Sequence, residues 1–233
     1  MVGMGVKLGS LFPSEQISFK DLHDRIIVID AYNVLHQFLA TIRQRDGTAL
    51  KNAEGKITSH LSGLFYRSAN LIQNRIKPVY VFDGKPHKLK QETIDERNRR
   101  RLQAEKEWKD ALKKGDTEKA RVKAQQTSRV TDEIVDQSKT LLSILGIPVV
   151  QAPEEGEAQA SYMVRNGDAY AVGSQDFDCL LLGSPVLIRN LTSASKRKLP
   201  GKKAYTTVHP ERIYLNQTLE KLTVDPLEGL TNN

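Results

Sequence analysis

Residues 151–182 read QAPEEGEAQASYMVRNGDAYAVGSQDFDCLLL. This stretch carries two carboxylate pairs, Glu155/Glu157 and Asp176/Asp178, each spaced i, i+2. One apolar run, 146–150, precedes the first pair, and a second, 169–172, lies between the two. Short apolar runs bounded by turn residues read as buried strands. Two more acids follow the same plan: Asp30 closes IIVID and Asp83 closes VYVFD. The strands therefore deliver acids to one edge of a sheet.

Outward from these strands the pattern turns helical. Ala31 to Arg43 has Leu35, Phe38, Leu39 and Ile42 on one face, and Thr58 to Ile76 places Leu61, Leu64, Phe65, Leu71 and Ile72 inward. A polar loop, Asp46 to Gly55, separates them. Thr131 to Leu145 is a third helix closed by Gly146, followed by a strand from Ile147 to Val150. Glu154 to Arg165 is a fourth, with Ala158, Ala160 and Ser161 small enough for close packing. Val186 to Leu191 is a further strand, Lys196 to Lys203 a basic loop, and Val208 to Leu215 a last strand or turn entry. Alternating strands and helices imply α/β architecture: an open, mostly parallel sheet flanked by helices.

The chain has 233 residues and is 39% hydrophobic, enough for one sizeable core with an appendage. Its formal charge is +7. Residues 84–129 hold fifteen Lys and Arg against eight Asp and Glu, so this helix-prone insertion carries the whole excess. It is broken at Lys114-Gly115-Asp116. A charge run is commonly a solvated helical hairpin, but a one-sided local excess points to a nucleic-acid face. The single Cys179 forbids an internal disulfide and reads as a small buried hydrophobe of a protein in a reducing compartment. No secretory leader and no bilayer-length apolar run is visible, which points to an intracellular protein without a membrane partner.

A single acid after a strand caps a helix or forms a turn as readily as it binds a ligand. Six acids at four strand ends would repel in a partly dry cleft, and divalent cations remove that cost. Ligands bind beyond the carboxyl ends of strands in such sheets. In an extended segment Asp176 and Asp178 point the same way, with Phe177 packing behind. Glu155 and Glu157 do not share a helix face, so they converge only if Glu155 lies at or before the helix start. All-oxygen donors favour Mg²⁺ or Mn²⁺. Two such ions beside a basic insertion suit phosphodiester hydrolysis. There is no Walker A sequence and no strand-linked GxGxxG, and Tyr32 occupies the position where a haloacid-dehalogenase-type phosphatase needs a second Asp. Histidines 23, 36, 60, 87 and 209 show no metal-ligand spacing.

The segments IDAYNVLHQFLATIR, TSHLSGLFYRS, IKPVYVFDGKPHKLK, APEEGEAQASYM, SQDFDCLLLGSP and RNLTSASKRKLPG resemble flap endonuclease, a structure-specific 5′ nuclease of replication and repair, nearest its archaeal branch. The resemblance runs from about Met4 to about Leu215 and implies a PIN-like 5′ nuclease core with a basic helical arch. It divides the chain into an N-terminal nuclease region at 5–105, an arch at 84–129 and an internal region at 123–233, all one nuclease domain. It implies Asp30, Asp83, Glu155, Glu157, Asp176 and Asp178 as ligands of two Mg²⁺ ions, with Mn²⁺ as a substitute. It makes Lys90 and Arg97 the basic pair that polarises the scissile phosphate, and Arg43, Arg67, His36 and Glu155 DNA contacts. The implied partner is DNA with a 5′ flap or single-stranded 5′ end, and the implied state a monomer, cytoplasmic in an archaeal cell.

The chain departs from the family pattern in three places. Met1-Val2-Gly3 precede the usual start and, if retained, would crowd the cleft. His36 replaces the usual Tyr as the base-stacking ring. The sequence stops at Asn233, ahead of the family's helix-two-turn-helix element, which supplies a further metal-binding Asp, and of its sliding-clamp-binding tail. From that the expectation is impaired cleavage or, as the alternative function, an inactive flap-binding remnant. A smaller toxin-type ribonuclease would lack the arch.

Overall fold

The computed structural model describes residues 11–44, 46–85, 91–192, 196–198 and 205–222. Lys90 lies outside them, as do Met1-Val2-Gly3, His87 and the chain after Leu222. The described strands are β1 (Ser14–Gln16), β2 (Ile26–Asp30), β3 (Lys77–Phe82), β4 (Val149–Gln151), β5 (Ala171–Gly173), β6 (Val186–Arg189), β7 (Lys196–Lys198), β8 (Tyr205–Thr207) and β9 (Glu211–Tyr214). The helices are α1 (Ala31–Thr41), α2 (Ser59–Gln73), α3 (Gln91–Lys113), α4 (Thr117–Gln125), α5 (Asp132–Ile144), α6 (Gly156–Arg165), α7 (Asp178–Leu181) and α8 (Leu215–Leu222). Seven strands belong to a mixed, mostly parallel α/β fold, and β7 with β8 makes a separate antiparallel ribbon. Lys196 therefore opens a strand, where composition alone suggested a loop.

The chain divides into two compact units. The first comprises Met1–Asp30, Asn74–Lys77 and Glu157–Asn233, and the second Ala31–Gln73 and Pro78–Gly156. In the first unit β2 pairs in parallel with β5, with Ile27 opposite Ala171, and β5 in parallel with β6. The β9 strand then runs antiparallel to both β6 and β1, so this edge is mixed. Ile27, Val28, Ile29, Ala171, Val172, Leu187, Ile188 and Ile213 fill the core. Parallel strands buried on both faces read as continuous apolar runs, which is why these were legible. Short β1, Ser-Glu-Gln, has no such run and carries no strand signal in its sequence.

In the second unit β3 pairs in parallel with β4, Tyr80 opposite Val149. Helix α2 turns a different face inward from the one its apolar residues suggest. Phe65 and Ile72 are 44% and 49% exposed, while His60, Gly63, Leu64, Ser68 and Leu71 are buried. Two contacts set that rotation. Ser68 Oγ lies 3.0 Å from the buried Tyr80 hydroxyl. Gly63 faces Phe38 so closely that a Cβ would stand 2.3 Å from its ring. Burial pushes the Tyr80 phenol up to about 12, so the pair stays neutral.

The basic insertion is a two-helix hairpin. Gly115, at φ +70°, makes the turn between α3 and α4. Asp116 accepts a hydrogen bond from Lys119 N (3.0 Å) as the N-cap of α4. The buried side chains are small: Ala104, Ala111, Ala120 and Ala124. Lys123 and Glu107 add an ion pair at 2.5 Å.

Buried His60 ties α2 to α5. Gln137 Nε2 donates to Glu133 Oε1 (3.1 Å), which turns Gln137 Oε1 toward His60 Nε2 at 2.9 Å. His60 therefore donates from Nε2, and its buried Nδ1 has no partner among the described residues. Burial pushes this imidazole below its ordinary value. The unfolded chain thus binds a proton more readily, and stability falls as pH drops through about 6.5. A His60→Gln variant should lose part of that slope in urea midpoints measured between pH 7.5 and 5. A second test concerns Gly84, where a Cβ would stand 2.2 Å from Pro153 O. Gly84→Ala should cost about 1–3 kcal/mol in denaturant unfolding, since rigid backbone gives way poorly.

Candidate metal centre

Four of the six acids lie in the first unit, and three of them converge. Asp30 ends β2 and is 4% exposed. Glu157 sits in the first turn of α6, where the helix dipole favours a negative charge. Asp176 and Asp178 converge by a turn, not along an extended strand as their spacing suggested. Asp178 already opens α7, and Phe177 has helical dihedrals. Within this turn Asp176 N donates to the buried Ser174 Oγ (3.2 Å), and Asp178 N donates to Asp176 Oδ1 (3.3 Å). Carboxylate oxygens of Glu157, Asp176 and Asp178 all lie within 4.8 Å of one another.

Buried Cys179 shows that Asp30 shares this field. Its thiol is pushed up first by burial, then by the charges of Glu157, Asp30, Asp176 and Asp178. The thiol stays protonated and acts as a small wall behind the acids, as its sequence context suggested. Ser161 stitches the wall in place, donating to Glu157 O (2.7 Å) and lying 3.2 Å from Cys179 O. Three carboxylates at such separations repel strongly unless a cation or proton intervenes. An all-oxygen donor set of this kind fits a hard divalent cation.

The second unit holds the other two acids. Asp83 directly follows β3, and its Oδ1 accepts from Gly156 N, the first residue of α6, at 2.7 Å. A Cβ on Gly156 would stand 2.6 Å from that oxygen, so glycine is needed for this approach. Glu155 precedes the helix, which meets the condition its spacing imposed. Tyr32 lies within the field of Asp83: its phenol is pushed up by burial, then by Asp83 and Asp132. Its ring also packs edge-on to Phe82 with centroids 6.5 Å apart. Nothing local in the sequence marks this proximity, because Tyr32 and Asp83 are brought near each other only by folding.

The basic candidates are placed as follows. Arg97 on α3 comes close enough to His36 on α1 that its charge, after burial, pushes the imidazole below its ordinary value. His36 keeps an exposed edge despite that crowding. Arg43 lies beyond α1, which ends at Thr41, and its side chain folds back on the helix end. Its Nε donates to Leu39 O (2.7 Å) and its Nη1 to Gly47 O (2.8 Å). It lines a cavity of about 420 Å³ with Lys51, Trp108 and Arg129. Arg67 is half-buried on α2, and burial lowers its guanidinium below the ordinary value.

Comparison with known proteins adds an independent line. The XPG N-terminal domain matches residues 4–104, and the XPG I-region matches residues 146–230. Flap endonuclease 1 of Pyrococcus abyssi is 52% identical over 221 residues, 95% of this chain and 64% of its own length. The chain belongs to the flap endonuclease family. The Staphylothermus marinus member is 54% identical over 223 residues, again with 64% of its length covered. The chain thus spans just under two thirds of the length of these curated relatives. Among solved structures, flap endonuclease-1 from Methanococcus jannaschii superposes with a TM-score of 0.70 at 46% identity, covering 95% of this chain and 66% of that one. The catalytic core of Rad2 in complex with DNA substrate gives 0.61 at 26% identity, covering 92% of this chain and 54% of that one.

The carboxylate cluster makes a direct prediction. Mn²⁺ binding to the DNA-free chain, followed by the paramagnetic signal of free Mn²⁺, should weaken by more than about tenfold in Glu157→Gln and in Asp176→Asn. That loss is set against the tenfold to hundredfold typical of groups one shell further out. Unchanged binding in both variants would remove these acids from any metal site.

Proposed function

We propose that this chain is a divalent-metal-dependent flap endonuclease and 5′ exonuclease. On this reading it cuts DNA phosphodiesters at 5′-flap junctions and single-stranded 5′ ends during replication and repair. One observation carries the proposal: in a chain of the flap endonuclease family, carboxylate oxygens of Glu157, Asp176 and Asp178 converge within 4.8 Å of one another, with Asp30 at the end of the neighbouring strand β2. These four residues, with Asp83 and Glu155 assigned by family resemblance, would hold two Mg²⁺ ions, or Mn²⁺ in their place. When bound, such ions lower the pKa of water and neutralise charge on the phosphate.

The remaining roles belong to the chain itself. We assign Lys90 and Arg97 to the phosphate, where positive charge aimed at the reacting oxygens stabilises the transition state more than the ground state. The arch, residues 84–129, supplies the excess positive charge that draws a polyanionic strand to the site. Arg43 and Arg67 are backbone contacts. Each already has a partly desolvated guanidinium, so part of the cost of binding has been met on folding. His36, whose imidazole is pushed below its ordinary value by burial and by Arg97, presents a flat ring for stacking on a base. Glu155 sits just ahead of the α6 N-terminus, where it can serve the metal site and the DNA edge together.

A labelled double-flap substrate tests this reading. The chain should release the flap in Mg²⁺, and Asp83→Ala should abolish cleavage while leaving flap binding in Ca²⁺ nearly intact. Neutralising Lys90 and Arg97 together should lower the single-turnover rate far more than affinity, because phosphate binding is spread over many basic groups. Cleavage by Asp83→Ala at the wild-type rate would refute the site. Flap binding with no cleavage at any metal concentration would identify a binding protein instead of an enzyme.

A further inference from the structure

Three groups from separate parts of the first unit stack against the turn that carries Asp176 and Asp178. Phe177 stands between these two acids in the chain. Its ring lies on that of Phe12, with centroids 4.3 Å apart and planes 10° apart. The guanidinium carbon of Arg189 lies 4.3 Å from the centroid of the same Phe177 ring. A parallel ring and a guanidinium cannot share one face at that distance, so Phe12 and Arg189 cover opposite faces. Such a sandwich combines ring stacking with cation–π attraction.

Arg189 is itself fixed. Its Nε donates to Gln175 O at 3.3 Å, so it grips the same turn by backbone as well as by ring. Its Nη1 pairs with Glu211 Oε2 at 3.8 Å, and the β6–β9 register places Arg189 directly opposite Glu211. The turn is therefore held to β6 on one side and to the segment before β1 on the other. None of the three stacking groups is among the fully buried core residues, so general core packing does not account for the arrangement. Losing the sandwich would release Phe177, and with it one restraint on the turn that carries both neighbouring carboxylates.

We propose that Phe12, Phe177 and Arg189 are positioning residues for the cation-binding carboxylates Asp176 and Asp178, and that Phe12, two residues before β1, thereby belongs to the working site. The proposal rests on the metal-dependent reading above. Like charges that must stay within a few ångströms of one another need a rigid support, because each would relieve repulsion by turning away. The stack supplies that support without offering a ligand atom of its own.

The test measures Mn²⁺ binding to the whole chain directly, with thermal unfolding in metal-free buffer alongside. Phe177→Ala should weaken Mn²⁺ binding by about tenfold or more, the scale of an outer-shell loss. Phe12→Ala and Arg189→Met, each removing one face of the sandwich, should weaken it by smaller factors, and Phe177→Tyr should keep it. For Phe12→Ala, flap affinity in Ca²⁺ should stay unchanged, and raising the metal concentration should restore its cleavage rate. If Phe177→Ala, or Phe12→Ala where the former fails to fold, lowers the unfolding temperature yet binds Mn²⁺ as the wild type does, the stack is packing alone and the proposal is wrong. Asp176→Asn separates the two levels. If it too binds Mn²⁺ normally, the metal reading itself fails. If it loses binding while the stack variants keep it, only the positioning role fails.

Discussion

Repulsion among carboxylates is the constraint on which the first unit depends. Asp30, Glu157, Asp176 and Asp178 all act on Cys179, and their own chemistry would drive them apart. The fold opposes this with supports that carry little charge. A strand end fixes Asp30, the first turn of α6 fixes Glu157, and a hydrogen-bonded turn fixes the last two. Each support is rigid for a different reason, so no single local motion relieves the strain. What remains is a local demand for positive charge of the kind that an oxygen-ligated divalent cation answers.

The second unit meets an analogous problem with opposite sign. The segment 84–129 concentrates positive charge, and among the described side chains of its two helices the buried ones are all alanine. Alanines 104, 111, 120 and 124 bring α3 and α4 close, but they bury little apolar surface compared with leucines. The Lys123–Glu107 pair is partly shielded, while the Lys109–Glu105 pair is solvent-exposed and adds little. In the same unit a network from Lys56 through Glu133 and Gln137 to His60 ties α5 to α2.

Much of this protein follows from sequence alone. Runs such as IIVID and VYVFD each set four β-branched or aromatic residues ahead of an acid, the continuous apolar pattern of a strand buried on both faces, and the acids at their ends mark the working edge. The charge excess of residues 84–129 is a property of composition and needs no structure. The family's segments are specific enough to point to flap endonuclease before any coordinate. Other features arise only on folding. The inward face of α2 was decided by Tyr80 meeting Ser68 and by Phe38 meeting Gly63, contacts between residues far apart along the chain, so its apolar pattern misplaced Phe65 and Ile72. Asp176 and Asp178 share the i, i+2 spacing of an extended strand but meet through a turn, because α7 begins at Asp178. The placing of Tyr32 near Asp83, of Arg97 near His36 and of Phe177 between Phe12 and Arg189 has no local signature. Local periodicity determines which residues want burial; only the packed chain determines which of them touch.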